Sequence, residues 1–289
     1  MKNILFLFGL LVLTIMINIG CEEIEVPYVS DEDEITRYLE VTEEGIELFR
    51  KDSLYSFIEY ELPFDSATYT DVLLDIDRDI TISIEGPVQI GNLGSYKEAL
   101  VIVGDVYEIR TNRIVGTDTT FHDTTRTFTR YGYFLKLLND SYPFLGWKLY
   151  GYNSIGALPV PAVVEVRSSD NTTSFHGDIR MLTTSAISFN LSFLKLDQFP
   201  VVNKGDTLFF DVKRVTSIPS YYFVTYDSQD GFSFTMMDKI NNDQIIDTVV
   251  VPDNLDKLWN NVVIQAFQES EPAGKHLRTW TVPYRLNLF

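Results

Sequence analysis

Apolar residues recur along this chain with two different periods. Near the N-terminus Ile35, Tyr38, Leu39, Thr42, Ile46 and Phe49 stand at offsets of 3, 4, 7, 11 and 14, the spacing that lines one face of an α-helix. Ser30 with Asp33, and Asp31 with Glu34, each fit a capping box ahead of that run. The pattern predicts one amphipathic helix over roughly 33–51, with Gly45 inside it costing about 1 kcal/mol relative to Ala. Beyond it the period drops to two. Val72, Leu74, Ile76, Ile80, Ile82 and Ile84 alternate with polar residues, and only Arg78 breaks the apolar face. This predicts either one long strand or a hairpin turning near Asp77-Arg78-Asp79. Further long strands are expected over 99–111, 124–138 and 147–152, the last two joined by the turn-forming Asn139-Asp140-Ser141-Tyr142-Pro143.

The proline-punctuated stretch Gly156 to Pro161 reads as a domain boundary. After it the strands are shorter and closer: 163–167, 186–193, 207–212, 220–226, 233–237, 248–251, 261–268 and 281–288. Turn signals such as Asn203-Lys204-Gly205-Asp206 and Asn241-Asn242-Asp243 separate them, a rhythm that indicates a β-sandwich. The fold class is therefore mostly β, with an α+β domain over 35–155 (a helix on a long-stranded antiparallel sheet) and a sandwich over 160–289. Two resemblances refine this. The stretch Phe128 to Leu137, followed by Gly146-Trp147-Lys148-Leu149, resembles the closing strands of NTF2-like cone folds. Asn203 to Val212 resembles the Gly-Asp turn and following strand of immunoglobulin-like sandwiches. Both resemblances imply architecture only, because fold does not determine function.

Charge and the single cysteine change the picture at the N-terminus. Lys2 precedes an apolar run, Ile4 to Ile17, and the small residue Gly20 stands directly before Cys21. The run is shorter than the roughly 20 residues a membrane-spanning helix needs, so residues 1–20 read as a secretory signal. Gly20-Cys21 resembles a bacterial lipoprotein lipobox, in which the cysteine becomes the lipidated first residue of the mature chain. Asn18 departs from the aliphatic residue usual in that motif. The resemblance implies a membrane partnership through lipidated Cys21 in the cell envelope of a diderm bacterium, at the outer membrane and facing the periplasm or the surface. Residues 22–34 hold seven acids and no Lys or Arg. Loss of Lys2 takes the formal −18 to −19, of which −12 remains on the 255 residues after Glu34. Such a block of like charge reads as an extended tether over 21–34, similar to the acidic surface-export signal of Bacteroidetes-like lipoproteins.

The rest of the composition excludes more than it assigns. Twenty Phe, 16 Tyr and 3 Trp argue for a packed core. One cysteine excludes an intrachain disulfide framework, and the acidic balance excludes nucleic acid as a partner. His122, His176 and His276 are too dispersed for a readable metal cluster. His122 beside Asp123 has the composition of a base with its orienting acid, or of an exposed turn pair. Asp75, Asp77 and Asp79 resemble the opening of a calcium loop, but Ile80 and Gly86 stand where that loop needs Gly and Glu, so a solvated strand face is expected. Tyr131, Tyr133, Tyr150 and Tyr152 have strand spacing and are the candidate ligand-binding residues, since aromatic faces can stack on sugars or anchor a partner.

These readings lead to a lipid-anchored envelope protein with a binding or structural role, an envelope protein or a glycan as partner, no cofactor and no catalysis. The alternative is a small-molecule-binding or enzymatic NTF2-like domain in residues 33–155, with Tyr131, Tyr133 and His122 near its mouth.

Overall fold

A computed structural model of the chain describes residues 29–50, 57–62, 66–89, 95–137, 139–153, 164–167, 174–177, 194–199, 201–213, 220–228, 231–241, 244–268 and 275–288. The signal, Cys21, the tether up to Tyr28, the boundary at 156–161 and the strand expected at 186–193 lie outside the described residues. Among the described residues no helix is long and apolar enough to cross a membrane.

The helical period at the N-terminus yields two helices. Helix α1 spans Asp31–Val41 and α2 spans Glu43–Leu48. Ser30 caps α1 reciprocally: the Asp33 amide donates to Ser30 Oγ at 3.0 Å and the Ser30 amide donates to the Asp33 carboxylate at 3.3 Å. Asp31 to Glu34, expected in the tether, instead form the first turn of α1, where their charge complements the helix dipole. Thr42 divides what the periodicity predicts as one helix. Its hydroxyl donates to the Tyr38 carbonyl at 2.8 Å and accepts from the Gly45 amide at 3.0 Å. Gly45 is required by this bend, because a Cβ there would lie 2.5 Å from the Tyr38 oxygen and 2.7 Å from Leu39 Cα.

Both helices bury Ile35, Tyr38, Leu39, Leu48 and Phe49 against the first sheet. Its strands are β1 (Phe57–Glu61), β2 (Thr68–Gln89), β3 (Ser95–Val115), β4 (Asp118–Lys136), β5 (Trp147–Asn153) and β8 (Leu194–Lys195), ordered β1-β2-β3-β4-β5-β8 and antiparallel throughout. The alternating run is one strand, β2, with no hairpin at Asp77–Asp79. A bulge corrects its apolar face. Leu73 pairs with Ile109 and Asp75 with Glu108, so Leu74 is an extra residue. Such an insertion reverses the phase of every side chain beyond it. Leu73 therefore packs in the core while Leu74 is 47% exposed.

The second half supplies two five-stranded sheets. One is ordered β13-β14-β10-β6-β7, comprising β6 (Val164–Arg167), β7 (Ser174–Gly177), β10 (Thr207–Lys213), β13 (Asp238–Asn241) and β14 (Gln244–Val250). The other is ordered β12-β11-β15-β16-β9, comprising β9 (Val201–Val202), β11 (Ser220–Ser228), β12 (Gly231–Met236), β15 (Trp259–Gln268) and β16 (Lys275–Leu286). They face each other across one apolar core that includes Leu208, Phe210, Val224, Val249, Val262, Ile264 and Val282. The Asn203–Asp206 turn forms as its composition requires: Gly205 has φ +79 and the Asn203 amide donates to the Asp206 carboxylate at 2.8 Å.

The β11-containing sheet is buried on both sides. Alternation along β11 sends Tyr222 and Val224 into the sandwich core and Tyr221 and Phe223 the other way, where they join Tyr60, Tyr69, Tyr107 and Phe128 of the first sheet. Phe223 stacks on Phe234 at 4.3 Å and meets Tyr60 edge-on at 5.2 Å. The three sheets thus form successive layers, with the β11 sheet in the middle.

Candidate functional site

The first sheet has one face sealed under the two helices and the middle layer and one face turned outward, and the residues of interest divide between them. On β4 the even-numbered residues Arg126, Phe128 and Arg130 point inward with Thr111, Ile109 and Tyr107 of β3, and all of these are buried. Two carboxylates lie on this inner face. Asp105, with no exposed surface, accepts from Arg78 Nε at 2.6 Å and Arg78 Nη2 at 2.8 Å, and also from Arg130 Nη2. The same guanidinium groups donate to the carbonyls of Phe49 at 2.8 Å and Arg50 at 2.6 Å. They thereby tie the chain leaving α2 to the sheet and satisfy carbonyls that follow a helix end. Asp71, equally buried, accepts from Thr111 Oγ1 and Arg126 Nη2, each at 2.6 Å, and from Tyr60 OH at 3.4 Å. Charges placed this deep persist only when fully paired.

Where the inner face meets the middle sheet there is a cleft of about 30 Å³, lined by Arg50, Phe128, Arg130, Thr225, Asn261 and Thr281 among others. Thr225 Oγ1 and Asn261 Oδ1 have no hydrogen-bond partner among the described residues. A space of this size with polar walls holds one or two ordered waters and is far smaller than a small-molecule pocket of about 300 Å³ or more. The space between the helices and the sheet, where the alternative reading puts a mouth, is filled by Ile35, Tyr38, Phe49, Phe134 and Leu149.

The four candidate tyrosines separate at a second bulge. Tyr133 pairs with Gly151 but Phe134 with Leu149, leaving Tyr150 as the extra residue. Tyr150 therefore turns to the outer face, its ring 6.2 Å from Tyr133, and Tyr131 joins them over Leu100, Ile102 and Leu135. Tyr152 turns inward, edge-on to Phe49 at 5.4 Å, with its hydroxyl 2.9 Å from Thr281 Oγ1. Burial pushes its phenol up to about 12. On the outer face Tyr133 donates to the buried Glu98 carboxylate at 2.6 Å. Burial raises the Glu98 carboxyl above its ordinary value, and burial together with the adjoining carboxylate raises the Tyr133 phenol. The Lys195 ammonium lies 5.5 Å from the Tyr150 ring. Tyr131, Tyr150 and Lys195, all half-buried, form a shelf that presents ring area and a positive charge.

His122 is remote from this shelf. It pairs with Thr111, whereas Tyr131 pairs with Ile102, about 30 Å along the strand and on the opposite face. Its neighbour Asp123 is held by the Arg110 fork at 2.7 and 2.8 Å, and those hydrogen bonds lower the Asp123 carboxyl. Asp75, Asp77 and Asp79 are exposed on the outer face. Asp75 caps the Ile76 amide at 2.8 Å, and Asp79 accepts from Thr81 at 3.3 Å. Among the described residues no three His, Cys, Asp or Glu gather to hold a metal ion. The side chains of His176 and His276 lie outside what is described.

One further cluster stands at the start of α1. Asp31, the first residue of α1, accepts from Lys136 at 2.7 Å, Trp147 Nε1 at 2.8 Å and Lys97 at 2.9 Å. Burial raises its carboxyl, but these three bonds outweigh it and hold the group at about 2. Sequence reading missed Asp31, Asp71, Asp105, Arg126 and Arg130. The signal for the Asp105 pair was present in Arg78, the one charge on an otherwise apolar strand face. No protein-family model and no curated protein matches this chain.

Proposed function

We propose that the chain is a lipid-anchored protein of the cell envelope of a diderm bacterium, held at the outer membrane through Cys21 and acting by binding or within an assembly, without catalysis. The observation that carries this is Gly20-Cys21 at the end of a signal-length apolar run. Several acyl chains on one cysteine give stable anchoring, at about 0.8 kcal/mol for each buried CH₂. The acidic residues that follow repel an anionic surface and hold the body away from it. The Asp31 clamp supports the same reading, since it fastens the first residue of α1 to β3, β4 and β5 where the pull of an anchor would enter the body. The outer shelf of Tyr131, Tyr150 and Lys195 is the surface we assign to a glycan or protein partner. In this reading the helix-on-sheet half is an NTF2-like cone used as a scaffold, and the two facing sheets are an immunoglobulin-like sandwich.

Cys21→Ala tests the anchor. The wild-type chain should remain in the membrane fraction and take up labelled palmitate, and the variant should move to the soluble fraction without label. Unchanged partition of the variant would overturn the anchor. Hydrolytic turnover by the purified full chain, lost on substitution of its own residues, would overturn the non-catalytic half.

A further inference from the structure

β4 is 19 residues long, yet β5 pairs only with its residues 131–136. Along 118–130, on the side away from β3, no strand pairs with it among the described residues. The hairpin fixes which backbone groups face this open side. Val115 and Asp118 close a two-residue turn, Gly116-Thr117, with Gly116 at φ +61, the type II′ pattern that favours Gly first. The closing pair of such a turn exchanges both hydrogen bonds, and bonded pairs alternate from there. Even-numbered residues of β4 therefore bond to β3, and odd-numbered ones present N–H and C=O to the open edge. Thr119, Phe121, Asp123, Thr125 and Thr127 are all exposed and form a continuous template of about 30 Å.

Edges of this length are normally blunted by Pro, Lys, a bulge or a cover. Residues 118–130 contain no Pro and no Lys, and their register with β3 is unbroken. Both inward arginines are spent on Asp71 and Asp105, and Asp123 is neutralised by Arg110. Phe121 is 67% exposed, with the Arg110 guanidinium 4.9 Å from its ring. We infer that this edge, Thr119 to Thr127, takes an extended, basic segment of another polypeptide as an added strand. The sign of the partner follows from the neighbouring rows. Thr125 adjoins Glu108 and then Asp75, and Thr127 adjoins Val106 and then Asp77. Glu108 lies two strands, roughly 10 Å, from an added strand, within the reach of unscreened attraction at low salt. A second copy carries the same acids and a net −18, which disfavours self-pairing. The inference gives a partner class to the binding role proposed above and rests on that reading, but its test does not depend on acylation of Cys21.

The test is residue-resolved amide exchange on the full chain in detergent. It uses two synthetic nine-residue peptides, one alternating Thr with Lys and one alternating Thr with Glu. The Lys peptide should slow exchange at Phe121, Asp123, Thr125 and Thr127 by about tenfold or more, and high salt should weaken the effect. Thr125→Pro removes one edge donor without breaking a bond to β3 and should abolish the protection, whereas Thr125→Ala should retain it. As a check independent of the variant's folding, a Lys peptide N-methylated at alternate residues should also fail to protect. Unchanged exchange, equal protection by the Glu peptide, protection by the methylated peptide, or peptide-free protection that grows with protein concentration would each overturn the inference.

Discussion

The two faces of the first sheet put the same residue types to opposite use. Asp71 and Asp105 on the inner face are fully buried, and each is met by at least one arginine. Asp75, Asp77 and Asp79, on the outer face of the same β2, are exposed. Tyr152 is sealed inward, while Tyr131 and Tyr150 are half-open outward. The inner charges cannot serve a partner, because every one is needed to offset another taken out of water. The exposed groups of the outer face, unlike its buried Glu98 and Tyr133, pay no such cost and are available for recognition. The difference gives the buried charges a structural task and leaves the exposed groups open to contact.

That division breaks most visibly at Asp105. Asp105→Ala leaves Arg78 and Arg130 buried without a counter-charge and should cost about 3–5 kcal/mol in urea denaturation. Phe223→Ala empties the aromatic contact between the first and middle sheets and should cost a similar amount, about 3–5 kcal/mol. Gly45→Ala drives a Cβ into the Tyr38 carbonyl and should cost about 1–3 kcal/mol, read as a lower melting temperature.

The Asp31 clamp sharpens the comparison through pH. Its folded carboxyl sits at about 2, below the ordinary 3.8. Its contribution is therefore fully present above about pH 4 and is lost as pH falls through the folded value. Asp31→Asn should cost about 1–2 kcal/mol near neutral pH, and the gap from wild type should close below about pH 2. Smallest of all, Asp77→Asn on the outer face should change stability by under about 0.5 kcal/mol. A larger loss there would mean that the outer acids also hold the fold.

Much of this was legible in the sequence, and the gaps have physical causes. Alternation along β2, the strand that became β10 and the Asn203–Asp206 turn are local signals, and they formed where expected. The bulges at Leu74 and Tyr150 were not legible, because an extra residue is defined by the partner strand's register rather than by the strand itself. Each bulge moved a predicted face: Leu74 went outward, and Tyr152 parted from Tyr150. The tether was read about one turn too long by charge alone, because the Lys97, Lys136 and Trp147 side chains that order Asp31 come from distant strands. The open edge of β4 was also invisible, since only pairing partners reveal where pairing stops.

The outward face and the β4 edge act at a membrane only if the chain is held there. Mass spectrometry of the N-terminal peptide from protein extracted out of the native membrane measures this directly. The expected result is that residues 1–20 are absent and that Cys21 is the first residue, carrying a thioether-linked diacylglyceryl group and an amide-linked acyl chain. An unmodified Cys21, or cleavage at another bond, would contradict it.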